Sequence, residues 1–176
     1  MSDELKEEGL ALFRRGMHDE ALAKFEAAAS AYAESGDEAA RGEMLNNIGV
    51  VQRVRQNWEA AEDAFCDAID LFEKSGDDHR RAQSLGNLGD LYAFQGQPET
   101  AAHYYSEAVE LMAASGDREK QAQLLRALSL LRLRQRRFVE AMGLMEQSLQ
   151  TRPRLNIFQR FFLFLIGIVH RLLGGP

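Results

Sequence analysis

A motif that returns every forty residues is the feature that most constrains how this chain folds. The tripeptide Ser-Gly-Asp occurs three times with the same spacing, at residues 35–37, 75–77 and 115–117. A fixed period of this length is typical of repeat proteins, in which each unit is one supersecondary element that stacks on its neighbours. We therefore expect the 176 residues to form a short array of similar units.

Other positions keep the same phase along the chain. One column holds small residues, namely Gly9, Gly49, Gly89 and Ser129. A second column, sixteen residues later in each unit, holds large apolar residues, namely Phe25, Phe65, Tyr105 and Met145. Four units thus share one template, with small residues where helices cross closely. The fourth unit departs from it at Ser129 and Met145, and terminal units are often atypical because they cap a stack.

The amino-acid composition indicates that these units are helical. The chain has 24 alanines but only 13 β-branched residues, and this composition excludes a sheet protein. Apolar residues recur at helical spacing in two segments of each unit, at about 40–55 and 58–74 in the second. The glycine of the tripeptide suits a left-handed helix end, and the aspartate suits the N-cap of the next helix. The sequence therefore predicts an all-α fold.

The segments 44–49 (Met-Leu-Asn-Asn-Ile-Gly) and 84–92 (Ser-Leu-Gly-Asn-Leu-Gly-Asp-Leu-Tyr) resemble the tetratricopeptide repeat, in its variety of forty residues. The resemblance implies a right-handed α-solenoid of four helix-turn-helix repeats over residues 1–150. It places the repeats at about 1–37, 38–77, 78–117 and 118–150. Residues 151–176 are then a basic, aromatic-rich C-terminal segment with an amphipathic helix that caps or anchors the array.

The resemblance also implies that the first helices of the repeats line a concave groove, which binds an extended segment of a partner protein. The groove columns carried over from the family are Lys6, Leu10, Asn46, Asn47, Val50, Arg53, Asn87, Asp90, Phe94 and Arg126. In related repeats, asparagines in the column of Asn47 and Asn87 bind the peptide backbone, because a carboxamide both donates and accepts hydrogen bonds. The alternative is that these two asparagines only bond across neighbouring helices.

Some members of the family instead clamp the terminal carboxylate of chaperone tails with two lysines, two asparagines and an arginine. Lys6 and Asn47 match that set. Leu10, Gln83 and Asn87 stand where the other three residues are needed. We therefore do not expect a chaperone-tail clamp.

The segment 155–173 contains four of the ten phenylalanines, and its longest apolar run has nine residues, at 161–169. As a helix, this run extends about 13 Å, whereas a bilayer core needs about 30 Å. On a helical projection the apolar residues cover roughly 200°, which is wider than the stripe of about 100° typical of a solvated surface helix. The residues expected to contact a membrane or a partner are Phe158, Arg160, Phe161, Phe162, Leu165, Val169 and Arg171.

Three roles are open for this helix. It can cap the last repeat, as repeat arrays require for solubility. It can lie on an anionic membrane surface, because its polar face carries Arg160 and Arg171 and no carboxylate. It can also mediate self-association or contact with a partner protein.

Charge and composition limit the function classes. Residues 1–120 carry a net charge of −13, from 12 basic and 25 acidic side chains, and residues 121–176 carry +7, from 9 and 2. Nucleic-acid binding is disfavoured because the arginines near residue 130 are not interleaved with stacking aromatics. An enzyme is disfavoured because the four histidines fall in different units and Cys66 is expected to be a buried, inert thiol.

No cofactor is expected. The single cysteine and the acidic N-terminus predict a cytoplasmic protein, with peripheral attachment to the cytoplasmic face of a membrane as an alternative. The sequence thus predicts a non-enzymatic scaffold that binds proteins.

Overall fold

The computed structural model describes residues 2–172, with side chains up to residue 169, and within them it contains helices and no strand. This confirms the predicted all-α fold. The helices are α1 (Ser2–Arg14), α2 (His18–Ser35), α3 (Glu38–Val54), α4 (Trp58–Ser75), α5 (Asp78–Phe94), α6 (Pro98–Ser115), α7 (Arg118–Arg134), α8 (Phe138–Thr151) and α9 (Ile157–Leu172).

The chain folds as two compact units, residues 1–91 and residues 92–176. In the first unit α1 to α4 pack consecutively, and in the second α6 to α9 do so. Within each unit the helices therefore follow the order of an α-solenoid, as predicted. The division of the sequence into four repeats and a separate segment after residue 150 follows the repeat pattern and stays a prediction.

Each member of the Ser-Gly-Asp motif forms part of the junction between hairpins. The glycines adopt the left-handed conformation that ends a helix, with φ of 74° at Gly36, 69° at Gly76 and 76° at Gly116. The aspartate side chains accept a hydrogen bond from the backbone N–H three residues later, at Asp37, Asp77 and Asp117. The serine hydroxyls donate to the carbonyl oxygen three residues earlier, at Ser35, Ser75 and Ser115. The helix boundaries are therefore fixed by local chemistry.

The turn inside each hairpin also needs a left-handed residue. Gly16 supplies it between α1 and α2, and Gly96 supplies it between α5 and α6, with φ of 76° and 75°. Gln56 and Arg136 take the same conformation in the second and fourth hairpins, with φ of 63° and 60°. A side chain beyond glycine is disfavoured there, because its Cβ crowds the backbone.

The core of the first unit depends on close helix crossings. A Cβ atom on Gly9 would lie 2.7 Å from the ring of Phe25, and one on Gly49 would lie 2.5 Å from the ring of Phe65. Both phenylalanines are almost completely buried. The glycines therefore allow the first helix of a hairpin to lie directly against the aromatic ring of the second.

The second unit closes its last hairpin differently. The hydroxyl of Ser129 on α7 donates to the carbonyl oxygen of Ala141 on α8, and Ser148 on α8 donates to Ala122 on α7, both at 2.6 Å. Both serines are buried. Two hydrogen bonds thus join the helices where the template elsewhere has glycine or alanine.

Candidate functional site

A polar cavity lies in the first unit and brings together several of the residues predicted for the groove. Its volume is about 380 Å³. Residues of α1, α3, α4 and α5 line it, namely Lys6, Glu43, Asn46, Asn47, Phe72, Arg80, Gln83 and Ser84. A cavity of this size is at the lower end of ligand-binding sites, which suits one or two side chains of a bound segment.

The charged residues of this cavity are partly neutralised inside the chain. The Nζ atom of Lys6 lies 2.6 Å from a carboxylate oxygen of Glu43, so α1 and α3 are joined by an ion pair. Arg80 lies 3.4 Å from Asp77 and is more than one third exposed. The lining itself has two cations and one carboxylate, so it favours a ligand that is neutral or acidic.

The asparagines of the cavity have different environments. The Oδ1 atom of Asn46 accepts hydrogen bonds from the hydroxyl of Ser84, at 3.0 Å, and from the Nδ2 of Asn87, at 2.9 Å. These bonds cross from α5 to α3. The carboxamide of Asn47 is half-buried in the cavity and forms no hydrogen bond with any residue in the described part of the chain. Asn47 therefore keeps its two N–H groups and its carbonyl oxygen available, whereas Asn46 has a structural role.

The remaining groove residues fall in several environments. Arg53 on α3 and Asp90 on α5 form an ion pair at 3.0 Å. Leu10 packs against the hydrophobic core of the first unit, and Val50 is half-buried. Phe94 is 73% exposed at the end of α5, and Arg126 is exposed on α7 in the second unit.

Sequence reasoning did not select Glu43, Phe72, Arg80 and Ser84, and it mentioned Gln83 only for the excluded clamp. A signal was present for two of them. Glu43 and Gln83 are one repeat apart, and each lies four residues before an asparagine of the groove column, so they share its helix face. Phe72 lies on α4, whereas the groove columns belong to the first helices of the repeats, so those columns do not indicate its position at the cavity.

A second surface lies in the second unit, where an apolar groove of about 330 Å³ opens between α8 and α9. Its lining is Ser129, Leu133, Phe138, Ala141, Met142, Met145, Phe162, Leu165, Ile166 and Val169. The two positions at which the fourth repeat departs from the template, Ser129 and Met145, are both part of it. Among residues 157–169 of α9, only Ile166 is deeply buried, at 6% exposure. α9 therefore covers part of the last hairpin and leaves the groove open.

The predicted contact residues of α9 are mostly exposed. Phe158 has 81% of its surface accessible, and Phe161, Phe162, Leu165 and Val169 are also exposed. Arg160 is exposed and has no ion pair among the described side chains, while the side chain of Arg171 lies outside them. Among the helices of residues 2–172, none combines the length and the hydropathy that crossing a membrane requires.

Two of the arginines near residue 130, Arg132 and Arg137, bind partners in their own chain. Arg132 contacts Glu99, at 3.0 Å, and Glu140, at 3.5 Å. Arg137 contacts the same two carboxylates. The hydrogen bond from Arg132, assisted by Gln135, lowers the pKa of Glu99. These arginines therefore tie the α7–α8 turn to the first turn of α6.

The expectation that Cys66 is buried is wrong, because its side chain is exposed on α4. Its repeat column holds Glu26, Ser106 and Glu146, which indicates a solvent-facing position. Partial desolvation, with the carboxylates of Glu62 and Asp70, raises the pKa of the thiol. The thiolate that a nucleophilic cysteine needs is therefore disfavoured. Among the described residues, no group of three or more His, Cys, Asp or Glu side chains is placed to hold a metal ion.

Comparison with known proteins gives a family and a fold. A family model described as tetratricopeptide repeat matches three overlapping regions, residues 5–74, 41–114 and 80–154. The crystal structure of BtubC (BKLC) from P. vanneervenii is similar to this chain, with a TM-score of 0.77 and 20% sequence identity. That similarity covers 88% of this chain and 68% of BtubC, and at this identity it shows the fold alone. No curated protein matches the sequence. Because the three matched regions together span residues 5–154, the chain belongs to the tetratricopeptide repeat family.

Proposed function

We propose that this protein is an adaptor that holds an extended segment of a partner protein in the polar cavity of its first unit. The tetratricopeptide repeats indicate a protein–protein interaction scaffold, and the cavity is the site that we propose for that role. The observation that carries the proposal is the carboxamide of Asn47, which is half-buried in the cavity and has no partner among the described residues. This carboxamide is open to the cavity, so it can donate to and accept from the backbone of a segment that enters it.

The ligand that fits best is an extended backbone with a polar or acidic side chain. An extended peptide presents unpaired N–H and C=O groups, and one carboxamide can bind both. Gln83 lies one helical turn before Asn87, and although its Nε2 is bonded to His79 Nδ1 at 3.0 Å, its carbonyl oxygen adds an acceptor to the same cavity. Lys6 and Arg80 are the cations of the cavity, and they are paired with Glu43 at 2.6 Å and with Asp77 at 3.4 Å. The partner segment is therefore recognised mainly through its backbone.

A peptide library displayed against the full-length protein tests this proposal. For the tightest peptide, we expect Asn47→Ala to raise Kd about tenfold, because a buried carboxamide bond contributes about 1–3 kcal/mol. Asn57→Ala is the matched control, since Asn57 is exposed and bonds only to the neighbouring Gln52. Unchanged Kd in Asn47→Ala would exclude the asparagine contact.

Asn87→Ala distinguishes a role in peptide binding from a role in the stability of the fold. This substitution removes the hydrogen bond to Asn46, so we expect it to lower stability as well as affinity. Asn47→Ala should lower affinity only. If both variants lose stability and neither loses affinity, the asparagines only join neighbouring helices.

A second candidate function concerns α9. Its exposed apolar side chains indicate a further contact surface, through which the protein attaches peripherally to a membrane at its cytoplasmic face or associates with a second copy. Full-length Phe161→Ser/Phe164→Ser tests it, with Phe94→Ser as the control outside α9. Flotation with phosphatidylserine vesicles measures attachment, and light scattering measures self-association. Wild-type protein that neither floats nor associates would disprove this function.

A further inference from the structure

The apolar surface of the second unit extends beyond α9, because the first turn of α8 is exposed beside it. Phe138 is 61% exposed and Val139 is similarly exposed, although the helix that they begin buries Ala141, Ser148 and Leu149. Phe138 lines the same groove as Phe162, Leu165 and Val169 of α9. The two helices therefore share one apolar rim.

The exposed side chains of α9 continue this rim around the helix. At 100° per residue, Phe162, Val169, Leu165, Phe161, Ile168, Ile157 and Phe164 follow one another within about 160° of the helix surface. All of them are exposed. Monomeric soluble proteins rarely leave so many large apolar side chains contiguous, and such a patch marks an interaction site.

The charges around this surface that lack a partner in the described chain are positive, since the nearby carboxylates of Glu99 and Glu140 pair with Arg132 and Arg137. Arg134 at the end of α7 and Arg136 in the turn precede Phe138, and Arg154 and Arg160 flank the start of α9. These four side chains are exposed, and none has a carboxylate partner in the portion of the chain that is described. No acidic residue follows Glu146. The surface is therefore apolar with a cationic border.

This combination fits an anionic bilayer better than a second copy of the chain. A symmetric dimer would place the same surface on both partners, so the four unpaired arginines of one copy would face those of the other, while the nearby carboxylates of Glu99 and Glu140 are already paired within their own chain. Anionic headgroups give those arginines a favourable partner, and the acyl region accepts the phenylalanines.

We propose that Phe138 and Val139 insert into the interface of an anionic membrane together with the exposed face of α9, while Arg134 and Arg136 bind the lipid headgroups. This inference rests on the second proposed function, membrane attachment through α9, and adds the start of α8 and the α7–α8 turn to it. The protein is then held on the bilayer at two points, which fixes the orientation of the second unit on the membrane.

A tryptophan placed at residue 138 tests the inference in the full-length protein. Trp58 is the only tryptophan, so Trp58→Phe gives a silent background for Phe138→Trp. Phe94→Trp in the same background is the matched control, because Phe94 is equally exposed and lies outside this surface. We expect emission from residue 138, and not from residue 94, to shift to shorter wavelength with phosphatidylserine vesicles.

The arginines are tested by partitioning. We expect Arg134→Gln/Arg136→Gln to reduce partitioning onto phosphatidylserine vesicles about 30-fold, since each cation near an anionic surface contributes about 1 kcal/mol. Partitioning onto pure phosphatidylcholine should not change. Helicity by circular dichroism confirms that each variant is folded.

Three results would overturn the inference. If the protein floats but residue 138 shows no shift, attachment through α9 alone survives and the role of α8 is excluded. If the protein does not float on either vesicle, membrane attachment fails altogether. If the protein forms a dimer whose formation depends on Phe138 and Phe161, the occupant of the surface is a second copy.

Discussion

The second hairpin, α3–α4, and the fourth, α7–α8, follow the same template and close in different ways. In the second hairpin, Gly49 lies directly against the buried ring of Phe65. In the fourth, Ser129 and Met145 occupy these positions, the serine donates a hydrogen bond across the hairpin, and the methionine is only half-buried. The residues at the crossing of α7 and α8 therefore line an open groove, whereas the ring of Phe65 fills the crossing of α3 and α4.

This difference shows how one template carries two surfaces of opposite chemistry. Around the second hairpin, the exposed columns bring amides and charges into a polar cavity. Around the fourth, the core columns themselves become accessible and form an apolar groove. The template thus determines where helices cross, and the surface chemistry depends on which columns a neighbouring helix leaves uncovered.

The largest expected effect comes from adding a side chain at Gly49, where α3 lies against the ring of Phe65. We expect Gly49→Ala to lower the free energy of unfolding by about 2 kcal/mol, because the new Cβ must displace the buried ring of Phe65. Gly143→Ala on α8 is the matched control, since nothing lies within 4 Å of its added Cβ, and it should gain up to about 1 kcal/mol from helix propensity. Urea unfolding followed by circular dichroism measures both. Equal effects of the two substitutions would show that the crossing is not tight.

The serines of the fourth hairpin should have a smaller effect. We expect Ser129→Ala and Ser148→Ala each to cost about 1 kcal/mol, the net contribution of a hydrogen bond. The loss stays modest because each accepting carbonyl lies inside a helix and is not left without a donor. Ser30→Ala, which removes an exposed hydroxyl bonded within its own helix, should change stability by less than about 0.5 kcal/mol. A serine effect no larger than that control would contradict the role of these bonds in closing the hairpin.

The turns of the two hairpins are alike, so the same substitution should stabilise both. We expect Gln56→Gly and Arg136→Gly each to raise the free energy of unfolding by about 0.5–1 kcal/mol, because glycine adopts their left-handed backbone without strain. The same urea experiment measures the gain. Arg55→Gly, one residue earlier with φ of −77°, is the control and should be destabilising. A loss of stability in Gln56→Gly would mean that interactions of the glutamine side chain stabilise the fold by more than its left-handed backbone destabilises it.

The smallest effect concerns the ion pairs that join each turn to a preceding helix. Arg55 pairs with Asp19 in the first unit, and Arg132 with Glu99 in the second. The hydrogen bond from Arg132 lowers the pKa of Glu99, so this carboxylate stabilises the fold above its unfolded pKa, and the contribution is lost as the pH falls through the folded pKa. We expect wild-type protein to exceed Glu99→Gln slightly in stability at neutral pH, and the difference to vanish on acidification. Thermal unfolding across the pH range measures this, and a difference that persists in acid would point to packing rather than charge.

Much of the fold could be predicted because its determinants are local. The roles of Gly36 and Asp37 at the helix junction depend on backbone chemistry within a few residues, so the sequence pattern is sufficient. The sequence left open that Asn87 bonds across neighbouring helices, but it did not identify Asn46 as the acceptor, because the two residues lie in different columns and the bond depends on how side chains on α3 and α5 are oriented. The open groove beside Met145 was missed because periodicity shows which face is apolar and does not show how much of it α9 covers.

The Ser-Gly-Asp junctions have a consequence for how this chain can change in length. Because all three residues make defined contacts at each junction, one inserted residue would rotate the following helix by about 100° and turn its apolar stripe away from the stack. A whole unit of forty residues, from residue 38 to residue 77, would instead follow one junction aspartate, Asp37, and end on the equivalent one, Asp77. The array can therefore grow or shrink by complete units, and an inserted copy of residues 38–77 would form the same junction contacts at both of its ends.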